Sequence, residues 1–308
     1  MNNFLMRAVA GATLVVNFAS IADAQTKIQA GYTASGESGT AYVAVDEGFL
    51  AKRGLDVTLA LIGVNSTIPQ AMYANSLQTG ILTPSVFLQA VDGGLDLVVI
   101  AGSSMTTPEA MKNFGVVART GAGIQAPRDF VGKKVGVPGF GAFLHVLFRQ
   151  WLMENNVDTK AVTYVEVGFP NMNDVLKGGT VDAVVSAEPI MARIIGAGNG
   201  YLVPYTIPAN QLVSVWTATR EWATKNPAAV KAFREGLAEA IAFTKKDAAK
   251  THEYIAKYTK LPADVVKTMA LPGYNSDVTP QQLAWWADVM NKQAMLKTKI
   301  DMSKLIHP

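Results

Sequence analysis

Tyr42-Val-Ala-Val-Asp-Glu-Gly-Phe-Leu-Ala-Lys-Arg-Gly-Leu-Asp-Val-Thr-Leu59 reads as a helix, a break and a strand, in that order. Tyr42, Val45 and Phe49 fall at helical spacing within Ser38–Leu50, which gives that segment one apolar face. Gly48 and Gly54 punctuate it. Leu55–Ile62 then places Val57, Leu59 and Leu61 on one face of a strand. Upstream, Lys27–Tyr32 alternates and runs into a polar loop at Thr33, as a strand does. Strand, helix and strand in succession make a βαβ unit.

The same alternation continues in both directions from this stretch. Thr67–Ser76 has helical spacing through Ile68, Ala71 and Met72, and Gln78–Leu82 is a short strand. Thr83-Pro84-Ser85 turns the chain, and Ser85 can cap a helix through Val91 because a hydroxyl accepts orphan backbone N–H groups. Leu95–Ala101 is the continuous apolar run of a buried strand. The pattern predicts a parallel sheet with helices on both faces. A second unit repeats it. Phe114–Ala118, Lys133–Val137, Val162–Val167 and Val181–Ser186 read as strands. Helices are predicted at about Ala142–Asn155, Pro170–Lys177 and Ile190–Ile195. From Asn226-Pro227 onward the chain is helical, through Pro227–Lys245, Ala248–Lys257 and Thr279–Gln293. Two β/α units and a helical tail predict two lobes, with crossings near Lys112–Phe114 and Pro208–Val213. Residues 25–113 and 210–308 would form the first lobe and 114–209 the second.

The N-terminus predicts the compartment. Arg7 is followed by the mostly apolar Ala8–Ile21 and then by Ala22-Asp23-Ala24, whose small residues sit where a signal peptidase reads. Residues 1–24 are therefore expected to be a signal peptide, cut between Ala24 and Gln25, for export to the periplasm. Asn17 and Ser20 make the run too short and too polar for a membrane span, and with no Cys at the cut a lipid anchor is excluded. The rest of the 308-residue chain suffices for two ordinary domains of roughly 100–200 residues each. There is no Cys at all, which excludes disulfides, thiolate metal sites and cysteine nucleophiles. The three His (His145, His252 and His307) have no metal-ligand spacing, so no metal and no cofactor is expected. The net charge of +3 comes without a basic cluster interleaved with aromatics, so no nucleic-acid partner is expected.

Four segments resemble one family. Tyr42–Leu59 is similar to the "A-x-x-x-G-F/L-F-x-x-x-G-L-x-V" signature of the solute-binding proteins that serve ABC importers of aliphatic sulfonates, nitrate and taurine. Asp129–Pro138 resembles their "D-L-x-G-K-x-V-G-V", Gly178–Pro189 their "G-x-V-D-A-x-x-x-x-x-P", and Ile300–Pro308 their usual ending. One departure falls at Gln78–Thr83, which lacks the Asp of the family's "G-x-x-D-x-x". The resemblance implies the type II periplasmic binding protein fold: two lobes, each a sheet flanked by helices, hinged about a cleft. It implies a monomer without stable membrane insertion that captures a small organic anion or zwitterion, such as a sulfonate, taurine or a carboxylate, and delivers it to a permease and ATPase.

Ligands of open α/β sheets sit beyond the carboxyl ends of the strands, where helix N-termini offer free N–H groups. The loops expected there are rich in small and hydroxylic residues and hold no Lys or Arg, which weighs against a small, highly charged oxyanion. Candidate contacts are Tyr32, Ser35 and Ser38; Asn65, Ser66 and Thr67; Thr83 and Ser85; Ser103; Phe140 and Gly141; Glu188; and Trp216. Capping alone would explain the hydroxyls, and packing would explain Phe140 and Trp216. Glu188, which ends a strand before Pro189, would suit a ligand amine or hydroxyl, or a salt bridge between lobes.

Enzyme readings are weaker. Gly139-Phe140-Gly141 has Leu144 where a dinucleotide fingerprint needs its third glycine. Gly36-Glu37-Ser38-Gly39 lacks the G-x-S-x-G spacing of a serine hydrolase. Relatives in thiamine-pyrimidine synthesis are cytosolic and carry Cys. The chain is therefore expected not to be an enzyme. A ligand-binding partner of a receptor, or a secreted enzyme, are the alternative readings.

Overall fold

The computed structural model describes residues 25–308, and the expected signal peptide lies outside them. Along the chain, β1 (Thr26–Tyr32), α1 (Gly39–Asp46), β2 (Leu55–Leu61), α2 (Ile68–Tyr73), β3 (Thr79–Leu82), α3 (Pro84–Asp92) and β4 (Leu97–Met105) alternate strictly. Next come β5 (Phe114–Arg119), β6 (Lys134–Val137), α4 (Phe143–Glu154), β7 (Thr163–Glu166), α5 (Met172–Lys177), β8 (Ala183–Ala187), α6 (Ile190–Gly196) and β9 (Gly200–Val203). The remainder is β10 (Leu212–Thr219), α7 (Arg220–Lys225), α8 (Pro227–Lys246), α9 (Ala248–Thr259), α10 (Ala263–Val266), β11 (Gly273–Tyr274) and α11 (Pro280–Lys292).

The strands form two sheets, ordered β11-β4-β10-β3-β1-β2 and β7-β6-β8-β5-β9. Neither is wholly parallel, which corrects the expectation from the β/α alternation. In the first, β1 pairs β2 and β3 in parallel, but β10 lies antiparallel between β3 and β4. In the second, β6 pairs β7 and β8 in parallel, while β5 runs antiparallel to β8 and β9. The cause is the two crossings. A chain arriving from the other sheet enters at the end where the local strands finish, so β5 and β10 each run against their neighbours.

Local chemistry accounts for the helix boundaries. Thr83 caps α3, accepting from Val86 N, with Pro84 at the first helical position. Pro227 opens α8, and Thr279 with Gln282 forms a capping box at the start of α11. Val230, Phe233, Leu237 and Ile241 give α8 one buried face. Phe233 meets Trp216 of β10 edge to face, with ring centroids 5.3 Å apart. The C-terminus is sewn to the first sheet. His307 N donates to Val99 O at 2.9 Å, and Arg234 of α8 donates to the carbonyls of His307 and Pro308 at 2.6 and 2.7 Å. β11 also pairs with β4.

The halves meet through α4, which packs against α3 and α11. Phe143 lies 5.1 Å from Phe114 and 5.4 Å from Trp286, centroid to centroid. Gln293 Nε2 donates to Val146 O at 3.0 Å.

Candidate functional site: a cavity between the two sheets

The strand ends and the loops after them enclose a cavity of about 60 Å³ between the sheets. From the first sheet come Thr33, Ser35 and Glu37 after β1, Asn65 after β2, Thr83 at the start of α3, and Val213 and Ser214 of β10. From the second come Phe114 of β5, Pro138 after β6, Phe143 and Leu144 of α4, Phe169 after β7 and Ala187 at the end of β8. The first sheet supplies nearly all the polar groups and the second an apolar wall. This is the place the carboxyl-end rule assigns to a ligand in open α/β sheets.

The cleft edges touch. Ser66 Oγ donates to Glu166 Oε1 at 2.9 Å across the gap, and Phe140 N donates to the same oxygen at 2.7 Å. Gly168 fits so closely against Gly63 that a Cβ there would stand 2.5 Å from Gly63 O. Gly141 has φ +72° and faces Gln89, so a side chain would be both strained and blocked.

Of the thirteen candidate residues, Ser35, Asn65 and Thr83 line the cavity. Asn65 is occupied by the protein itself: Nδ2 donates to Ile81 O at 2.9 Å, and Oδ1 accepts from Thr83 N at 3.1 Å. It clamps the loop after β2 to the end of β3. Thr83 Oγ1 accepts the α3 cap bond and meets Ser85 Oγ at 3.2 Å. Ser38 and Ser103 form a shell behind the wall, donating to Thr33 O at 3.2 Å and Glu37 O at 3.1 Å. Tyr32 is buried against Tyr42 and Tyr258, and its burial pushes the phenol up.

Ser66, Phe140 and Gly141 lie along the cleft edge. Phe140 is 48% exposed, and Gly141 N donates to His145 Nδ1 at 2.9 Å. Thr67 turns its hydroxyl back to Val64 O at 2.8 Å. Glu188 is half-buried, and its Oε2 accepts from Ala192 N at 3.1 Å, which ties it to α6. Burial raises its carboxyl while that N–H opposes the rise. Trp216 is fully buried beneath α8 and does not line the cavity. His145 is held neutral, its imidazole lowered to about 3 by burial and secondarily by Arg149.

Sequence reasoning missed Glu37, Ser214 and the aromatics Phe114, Phe143 and Phe169. Glu37 is the most consequential, because burial pushes its carboxyl up to about 7 against the pull of the Ser104 hydroxyl. The available signal was a lone acid among Gly and Ser just after the first strand. Among the described residues no three His, Cys, Asp or Glu side chains are grouped to hold a metal ion, and no helix is long and apolar enough to cross a membrane.

Comparison with known proteins agrees with this architecture. A family model described as NMT1/THI5 like matches residues 36–250. No curated protein sequence matches the chain. Among solved structures, the alkanesulfonate-binding protein SsuA from Xanthomonas axonopodis pv. citri, bound to MOPS, superposes with TM-score 0.79 at 18% identity, covering 92% of this chain and 98% of that one. The periplasmic aliphatic sulphonate-binding protein SsuA from Escherichia coli gives 0.71 at 20% identity, covering 91% and 97%. The periplasmic nitrate-binding protein NrtA from Synechocystis PCC 6803 gives 0.78 at 15% identity, covering 90% and 84%. The two helix-flanked sheets are those of the periplasmic binding protein fold.

Proposed function

This chain belongs to the NMT1/THI5-like family, and from that premise we propose that it is the solute-binding component of an ABC importer. The observation that carries this reading is the cavity built from strand ends of both sheets, with Ser66 and Glu166 bridging its edge. Residues 25–113 with 210–308, and 114–209, act as the two lobes. They move about the crossings before β5 and β10, closing on the solute in the hinge mode. Cleavage after Ala24 releases the protein into the periplasm as a monomer, and the closed form docks on a permease driven by an ATPase.

The solute is a small organic molecule of the anion or zwitterion class, with its apolar part against Phe114, Phe143 and Phe169. Binding without turnover is favoured by the neighbours in fold, which are named as binding proteins.

A thermal-shift screen against small sulfonates, carboxylates, amines and pyrimidines tests the role. A ligand bound only by the native state stabilises it by about 2.7 kcal/mol at a hundredfold excess over Kd. A shift for one class, with the compound recovered unchanged and the protein more compact by X-ray scattering, is the expected result. Turnover of the compound, or binding without compaction, would refute the proposal.

A further inference from the structure

The cavity wall carries one carboxyl and no cation. Glu37 lines it from the short 3-10 turn Gly36–Ser38 after β1. Its backbone is fixed from two sides, since Ser103 Oγ donates to Glu37 O at 3.1 Å and Tyr274 OH donates to Gly36 O at 2.7 Å. Glu37 Oε2 is sealed from solvent and accepts no hydrogen bond from the protein. A buried carboxyl oxygen without a donor is unfavourable, and the Ser104 hydroxyl, which draws the carboxyl down, only partly offsets its burial. The neighbouring titratable groups that act on Glu37 and its turn are phenols, Tyr42 and Tyr274, both held neutral by burial. An anion entering here meets no cationic side chain, whereas an N–H group meets its complement in the Glu37 carboxyl.

We propose that the cleft selects a small organic amine, whose N–H donates to the Glu37 carboxyl while a short apolar body packs on Phe114, Phe143 and Phe169. The inference rests on the solute-binding reading but departs from its anion class, taking the solute to be a molecule that carries an amine, with or without an anionic group. The cavity of about 60 Å³ is well under the roughly 150 Å³ that admits benzene, which limits the body to a few carbon atoms. Burial places the Glu37 carboxyl at about 7, so an arriving ammonium displaces the carboxyl proton to solvent and leaves an ion pair in the apolar wall.

Titration calorimetry of the purified protein at neutral pH, with propylamine, beta-alanine, propanol, propionate and propanesulfonate as probes, tests this. Propylamine and beta-alanine are expected to bind, and the other three are not. Glu37→Gln should weaken amine binding at least about tenfold, as the loss of a charge-assisted hydrogen bond does, while melting no lower than the wild type. The comparison among probes on the unaltered protein stands whether or not the variant folds. If propionate or propanesulfonate binds and the amines do not, or if Glu37→Gln leaves amine affinity unchanged, the inference fails while the solute-binding reading stands. If no probe binds at millimolar concentration, both fail for solutes of this size.

Discussion

Glu166 and Ser66 face each other across the cleft, and the bond between them can be measured separately from everything else Glu166 does. Its Oε1 accepts from Ser66 Oγ at 2.9 Å and from Phe140 N at 2.7 Å. Only the first bond spans the two sheets; the second orders the loop after β6. Glu166→Ala removes both bonds, whereas Ser66→Ala removes the bridge alone. In a double-mutant cycle the local loop effect cancels and the bridge remains. A buried bond to a carboxylate would be worth about 1.5–3 kcal/mol and a neutral one about 0.5–1.5. Both side chains here are half-buried, which brings the expected coupling to about 1 kcal/mol. Urea unfolding of the wild type, both single variants and the double variant measures it. The same energy shifts the ratio of closed to open forms about fivefold, so Ser66→Ala should also enlarge the radius of gyration of the unliganded protein. A coupling below about 0.3 kcal/mol, inside the ordinary scatter of additivity, would show that the bridge does not form in solution.

Three further perturbations follow from the same geometry. Gly168→Ala places a Cβ 2.5 Å from Gly63 O across the cleft, while the equivalent Cβ on Gly63 meets nothing within 4 Å; scattering should therefore show a wider molecule for Gly168→Ala and an unchanged one for Gly63→Ala. Glu37 has its carboxyl raised in the folded state, from 4.5 to about 7, so its contribution to stability is fully present below about 4.5 and is lost as the pH rises through about 7. That window corresponds to a penalty on the order of 3 kcal/mol at high pH. Glu37→Gln should accordingly match the wild type in melting temperature near pH 4.5 and exceed it above neutrality, and a difference that does not change with pH would contradict the burial of this carboxyl. Trp216→Ala empties a fully buried site against Phe233 and should cost about 3–5 kcal/mol in denaturant unfolding; a cost under about 1 kcal/mol would mean the ring is not in the core.

What the sequence made legible is what local chemistry determines. Asn226-Pro227 and Thr279 mark helix starts because a proline's fixed φ and a threonine cap act within one turn, and α8 and α11 begin there, whereas the cap expected at Ser85 is supplied by Thr83, two residues earlier. Leu95–Ala101 could be read as a strand because burial on both faces leaves a continuous apolar run, and β4 covers most of it. Strand direction was not legible in the same way. Nothing in Leu212–Thr219 says that it will lie antiparallel between β3 and β4, since that depends on where the crossing chain re-enters.

The same limit explains why Trp216 looked like a cavity residue. Counting by twos from Ser214, which does line the cavity, puts Trp216 on the same face. β10, however, shifts register against β4 on both sides of Ser214 and again after Trp216. Each irregularity re-aims the side chains beyond it, and the indole ends beneath α8. Glu37 is the converse case. By composition it is an ordinary loop acid, and only the closure of β11 and β4 around its turn, through Tyr274 and Ser103, takes much of it out of water. Its importance is a property of residues more than sixty positions away, so no local window of sequence could have singled it out. A cavity assembled from both sheets draws its apolar wall from one half of the chain and its polar groups from the other, and chemical complementarity to a solute exists only where the crossings bring the two together.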